Sequence, residues 1–220
     1  VNRDLLVVLN PRAIPAAMGA FEELDVDKLW IRRMNEFDVA EHWPQVLEMA
    51  SGYERLFMCS DDGVVRAPAL AAVNQLLDEG HPVATGYSNL SAVDYRVNLA
   101  KSPLASMPGP NAYDLYTLKE VQEWPTAAVP TYFSGFSLLG MATHLWERFP
   151  FKTHGGYPPG CCSDFVVCQD LHRAGMTPFP AAREGLVWHM KEEWNRADKA
   201  PAMRLRVGEG GPELHLERAA

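Results

Sequence analysis

Two adjacent aspartates, Asp61 and Asp62, close the apolar run in RLFMCSDDGVV (residues 55–65). A buried strand that delivers paired carboxylates to its carboxyl end lets an α/β fold hold a divalent cation beside a phosphate, so this pair reads as chemistry on a nucleoside diphosphate. The same Asp-Asp-Gly also reads as ordinary turn or helix-cap chemistry. Asp164 allows the same cap reading. It opens a segment in which Phe165, Cys168 and Leu171 share a helical face and Gly175 stands ready to end the helix. As an N-cap it would accept the first amides of that helix and interact favourably with the helix dipole. His189, in GLVWHM, reads either as an imidazole satisfied by nearby backbone or as a late metal ligand.

The elements that must position these groups alternate strand and helix. Leu5–Leu9 (LLVVL) is an apolar run of strand length, followed by a Pro11-Arg12 turn and a helix over about Ala16–Glu23. Lys28–Met34 reads as a second strand, and Ala40, Trp43, Val46, Leu47 and Ala50 recur at helical spacing before Ser51-Gly52. The third strand runs from Arg55 to Cys59. Pro68, Ala69, Val73, Leu76 and Leu77 predict a helix opened near proline and closed at Gly80, with a short strand over Pro82–Thr85. Residues 88–130 carry no long periodic segment and are expected to wrap over the sheet toward an acceptor. Phe133–Leu139 (FSGFSLL) predicts a strand with a close-approach glycine, and Ala142–Phe149 a short helix. The loop KTHGGYPPGCCS (152–163), with three glycines and two prolines, reads as a candidate lid.

Composition sets the class. With 220 residues, 47% hydrophobic and 22% charged, the chain can bury a substantial single core. A formal net charge of -8 argues against a broadly basic surface for gripping duplex nucleic acid. Four cysteines, Cys59, Cys161, Cys162 and Cys168, offer no paired CxxC knuckles, which argues against zinc. No run of about eighteen apolar residues spans a bilayer and no basic-then-apolar leader is seen, so a cytoplasmic protein is expected.

The order and spacing of these features resemble the GT-A glycosyltransferase superfamily, especially its large inverting, metal-dependent nucleotide-sugar family. FMCSDDGVVRAPAL is similar to that family's strand, aspartate cluster and helix; YFSGFSLLGMATHLWERF resembles its acceptor-side strand and helix; CSDFVVCQDLHRAGMTPFPAAREGLVWH resembles its acidic helix start, strand and late histidine. The resemblance covers about residues 5–189. It implies an α/β, GT-A-like three-layer sandwich with a mostly parallel central sheet and helices on both faces. Residues 1–190 would form the domain, with a nucleotide-sugar and metal half (1–90) and an acceptor and catalytic half (91–190). Residues 191–220 are expected as a C-terminal tail or edge hairpin.

By the same resemblance, Asp62 and His189 would bind Mn²⁺ or Mg²⁺, and Asp61 would hold the donor ribose or share the metal. Asp164 would be the general base, while Pro11, Arg12 and Asn35 or Glu36 would contact the donor nucleotide. The sequence departs from the family in having Cys59 and Ser60 before the aspartates and Ser163 before Asp164, where the family usually has acidic residues. The implied activity is inverting, metal-dependent transfer of a sugar from a nucleoside-diphosphate sugar to an acceptor hydroxyl. A saccharide, a lipid carrier or a hydroxylated DNA base stays open as acceptor, the last disfavoured by net charge. Tyr132, Phe133, Trp146, Tyr157, Trp188 and Trp194 are candidate stacking surfaces for it. Two alternatives remain at this level, a nucleotidyltransferase on a related sheet and a non-catalytic nucleotide-sugar-binding protein. The first usually carries a glycine-rich, basic phosphate loop after its first strand, where this chain has NPRAIPAAMG.

Overall fold

The computed structural model describes residues 3–10, 14–32, 36–90, 95–103, 114–152, 163–190 and 213–219. Its opening is a run of βα units. Strand β1 (Asp4–Asn10) leads to α1 (Pro15–Glu22), whose first turn tolerates Pro15 because the missing N–H would have no partner there. Strand β2 (Asp27–Arg32), α2 (Glu36–Ala50), β3 (Arg55–Ser60), α3 (Ala67–Asp78) and β5 (Val83–Ser88) follow the expected pattern closely, with β4 (Gly63–Val64) inserted just after the aspartates.

The central strands are apolar throughout because both faces are covered. Along β1, Leu5 and Val7 enter one core with Trp43 and Val46 of α2, while Leu6 and Val8 enter the other with Phe21 of α1 and Val73 of α3. All four β1 side chains are fully buried. That alternation produces the expected three layers.

The sheet itself corrects the expectation. Its order is β11-β2-β1-β3-β9-β5-β10-β4, with β8 also pairing β10. The pairs β1–β2, β1–β3 and β5–β10 are parallel. Strand β9 (Leu139–Ala142) lies antiparallel between β3 and β5. Strands β8 (Ala128–Thr131) and β4 run antiparallel to β10 (Phe179–His189), and β11 (Glu213–Glu217) to β2. The sheet is therefore mixed rather than mostly parallel. Direction depends on which edge a returning segment finds, and short apolar runs carry no mark of it.

Three further expectations shift. FSGFSLL is not a strand along its length: residues 133–138 are mostly a bent crossing and the strand starts at Leu139. Residues 96–131 contain regular elements after all. Strands β6 (Arg96–Ala100) and β7 (Leu115–Thr117) form a small second sheet, followed by α4 (Leu118–Gln122) and β8. The expected tail contributes β11, an edge strand whose Leu214 and Leu216 pack against the core. Helix α5 (Thr143–Arg148) falls where predicted, and α6 (Ser163–Arg173) carries Asp164 in its first turn and ends near Gly175, whose φ of +73° suits glycine. Most of the 152–163 loop, including Cys161 and Cys162, lies outside the described residues. No helix among the described residues is long and apolar enough to cross a membrane.

Candidate functional site

The parallel strands of the sheet deliver their carboxyl ends to one edge, and the chemically suggestive residues gather there. Asp61 follows β3 directly and its amide N–H donates to Leu9 O at 2.9 Å, which fixes the turn against the end of β1. The turn passes straight into β4, whose two residues pair with the last residues of β10: His189 faces Gly63 and Trp188 faces Val64. Met190 N–H then donates to Asp62 O at 2.8 Å. This ladder needs glycine at position 63, because a Cβ there would stand 2.9 Å from Val187 Cγ1.

Backbone pairing thus brings Asp62 and His189, 127 residues apart in sequence, to an Oδ2···Nε2 distance of 3.1 Å. Their side chains are 16% and 17% exposed, at the floor of the edge rather than in bulk solvent. An ionised Asp62 can only accept, so in this contact Nε2–H is the donor, and holding a cation through Nε2 would require that proton to leave it. The Nδ1 of His189 is buried without a hydrogen-bond partner among the described residues.

The pair fits half of a divalent-cation site. Two ligands at right angles around an ion with bonds of about 2.1 Å lie about 3 Å apart, matching the observed separation. A carboxylate oxygen with an imidazole nitrogen is a donor set that suits Mn²⁺ somewhat better than Mg²⁺. Among the described residues no group of three or more His, Cys, Asp or Glu side chains converges, so a cation held by this pair would need its remaining ligands from elsewhere. Asp61, assigned by resemblance to the donor ribose or the metal, is fully buried.

Asp164 comes to the same edge by another route. The 134–138 crossing joins the tops of β3 and β5: Ser60 N–H donates to Phe136 O at 2.9 Å, and Gly86 N–H to Leu138 O at 2.8 Å. Helix α6 is anchored beneath it, with Cys168 Sγ donating to Ser134 O at 3.4 Å. Asp164 Oδ1 accepts from the N–H of the next residue, Phe165, at 2.7 Å; with Ser163 already in α6, Asp164 lies inside the first turn and not at the N-cap position, whose side chain bonds the amide two or three residues on. Its Oδ2 is turned to Gly135, where a Cβ would lie 3.4 Å from that oxygen. Asp164 and Ser60, the residue before the Asp61-Asp62 turn, therefore both meet the 134–138 crossing.

Pro11, Arg12 and Asn35 lie outside the described residues, and Glu36 opens α2 with a side chain that is also outside them. Of the candidate stacking residues, Trp146 is fully buried and Phe133 is 9% exposed, so both are core. Tyr132 is half-buried and stacks edge-on against His172, whereas Trp188, beside His189, is 59% exposed. Tyr157 and Trp194 lie outside the described residues. Sequence reasoning missed Asn98 on β6. This side chain is 4% exposed; its Oδ1 accepts from Ser88 N–H at 2.7 Å and its Nδ2 donates to Ser137 Oγ at 2.9 Å. No motif marks it, and β6 reaches the crossing through tertiary contacts, the isolated bridge Leu99↔Ser134 among them.

Comparison with known proteins adds a fold and no family. No family model and no curated protein sequence matches the chain. Among solved structures, the chain is similar to the crystal structure of A197 from STIV, with a TM-score of 0.52 at 13% identity, over 84% of this chain and 81% of that one. At that identity the likeness concerns the fold alone.

Proposed function

We propose that the protein is a glycosyltransferase that moves a sugar from a nucleoside-diphosphate donor to an acceptor hydroxyl with inversion. The observation that carries this reading is the meeting of Asp62 with His189 at 3.1 Å, beside a crossing that Asp164 overlooks from the other side. Two residues singled out independently, one at a strand end and one late in the chain, are paired by the backbone ladder rather than scattered.

In this reading Asp62 and His189 hold a divalent cation, Mn²⁺ or Mg²⁺, whose contribution is neutralisation of charge on the departing diphosphate. Asp164 Oδ2 takes the proton of the acceptor hydroxyl as its oxygen forms the new glycosidic bond. The bond to the diphosphate breaks on the opposite face, and the electron pair leaves with the phosphate oxygen. A positioned base of this kind contributes on the order of 10² to 10⁴ in rate.

A non-catalytic nucleotide-sugar-binding protein is the second reading, in which Asp164 serves only the first turn of α6, where its Oδ1 accepts from Phe165 N–H. One experiment separates them. Thermal shift with UDP, GDP, TDP, CDP and ADP, with and without Mn²⁺, should give a metal-dependent rise for one nucleotide that Asp62→Asn abolishes. With the sugar form of that nucleotide, Asp164→Asn should keep donor binding and lose transfer or slow hydrolysis by about 10² to 10⁴. No shift with any nucleotide would overturn both readings, and binding without turnover by the unaltered protein would leave the second.

A further inference from the structure

The buried amide of Asn98 has a fixed orientation and one hydrogen to spare. Ser88 N–H can only donate, so the atom facing it must be Oδ1, and Nδ2 must be the atom at Ser137. Ser137 Oγ in turn donates to Ser88 Oγ at 2.8 Å, closing a ring among the three side chains and locking the amide plane. One Nδ2 hydrogen goes to Ser137 Oγ. A Cβ on Gly135 would fall 2.8 Å from Asn98 Nδ2 and 3.4 Å from Asp164 Oδ2, so both atoms border the same small space beside that glycine.

We infer that Asn98 is a positioning residue for Asp164, presenting an amide donor edge to Oδ2 across Gly135, directly or through one bridging hydroxyl. The inference rests on the transferase reading for its catalytic meaning and on the geometry alone for the coupling. Amide donors near a carboxylate favour its ionised form, the form a base needs, and they restrict where its second oxygen can point. Helix α6 engages the first oxygen through Phe165 N–H, so the two oxygens have separate tasks. Glycine at 135 keeps the gap open, since any side chain would press on the amide.

Other titratable groups lie near Asp164. Cys168, one turn along α6, is a buried thiol whose upward shift is caused by burial first, with the Asp164 charge adding to it. Asp61 and Asp62 lie beyond the crossing.

The test substitutes the donor edge by an acceptor of the same shape. Asn98→Asp retains the oxygen that takes Ser88 N–H and lets Ser137 Oγ rotate to donate, but places a second carboxyl beside Asp164. The expected result is an upward move of the Asp164 titration midpoint by about one pH unit, followed by ¹³C NMR of the carboxyl groups with Asp164→Asn as assignment control. In the unaltered enzyme and the variant, the acid limb of kcat should move in parallel, while the nucleotide Kd stays the same. Because a buried acid can impair folding, Gly135→Ala is the second variant. It is neutral and leaves Asn98 and Asp164 as they are in sequence, but its Cβ would fall 2.8 Å from Asn98 Nδ2 and displace the amide, so it should raise the same midpoint and lower kcat more than it alters KM. An Asp164 midpoint unmoved in folded samples of both variants overturns the inference whatever the activity. A moved midpoint in a protein that transfers no sugar supports the coupling and removes the transferase reading.

Discussion

Cys168 shows how helix α6 is held. Its thiol is fully buried one turn beyond Asp164, donates to Ser134 O, and is pushed up to about 12 by burial. Cys59, on β3, is likewise buried and shifted upward by burial, with Asp61 adding to it. Both thiols should therefore stay protonated and unreactive near pH 8. Peptide-resolved iodoacetamide labelling of the native protein should spare Cys59 and Cys168, and labelling in urea should capture both; native labelling of Cys168 would mean that α6 opens from the crossing. The sign for stability follows from the folded value lying above that of an exposed thiol, about 8.5. The contribution is whole below about pH 8.5 and is lost as pH rises toward 12, because the unfolded chain ionises first. At this scale the carboxylates and the histidine were legible in the sequence because their types limit their chemistry. Asn98 was not, since a lone asparagine in a polar stretch looks the same whether it faces water or a base.

At the scale of elements, the C-terminal strand is held at the end of the sheet opposite the site. Asp27, at the start of β2 and fully buried, accepts from Tyr53 Oη–H at 2.5 Å, Arg218 Nη1 at 3.2 Å and Ala219 N–H at 2.7 Å. Burial first, and then the bond to Asp27, push the Tyr53 phenol up to about 12. Nearby, Trp30 Nε1–H donates to Glu217 and the buried Lys28 ammonium is shared by Leu24 O, Val26 O and Glu217. Tyr53→Phe removes one partner of a buried carboxylate, which should cost about 1 to 3 kcal/mol in urea unfolding. Nucleotide affinity should be unchanged, because Asp27 sits at the amino ends of the parallel strands. An unchanged unfolding midpoint would show that the remaining donors satisfy Asp27 alone. The sequence signalled α1, α2, α3 and α6 through apolar spacing, proline and glycine. It did not signal β4, whose two residues are a strand only because the end of β10 lies beside them.

For the whole molecule, the arrangement of the sheet determines both solubility and the site. Strand β11 covers the edge of β2, and its Leu214 and Leu216 lean on the core. Deleting residues 213–220 should leave that edge unpaired, lower the melting temperature and promote self-association visible by light scattering. A monomer of unaltered melting temperature would indicate that β11 contributes nothing to the fold in solution. The sequence by itself determined that this is an α/β chain with a doubly covered sheet, because continuous apolar strands and one-sided helices admit few other ways to exclude water. The tertiary structure decided strand direction, the insertion of β9 between β3 and β5, the return of β11 and the meeting of Asp62 with His189. Each of these depends on contacts between segments far apart in the chain, whose free energy exists only once the intervening residues have folded and which leave no local pattern to read.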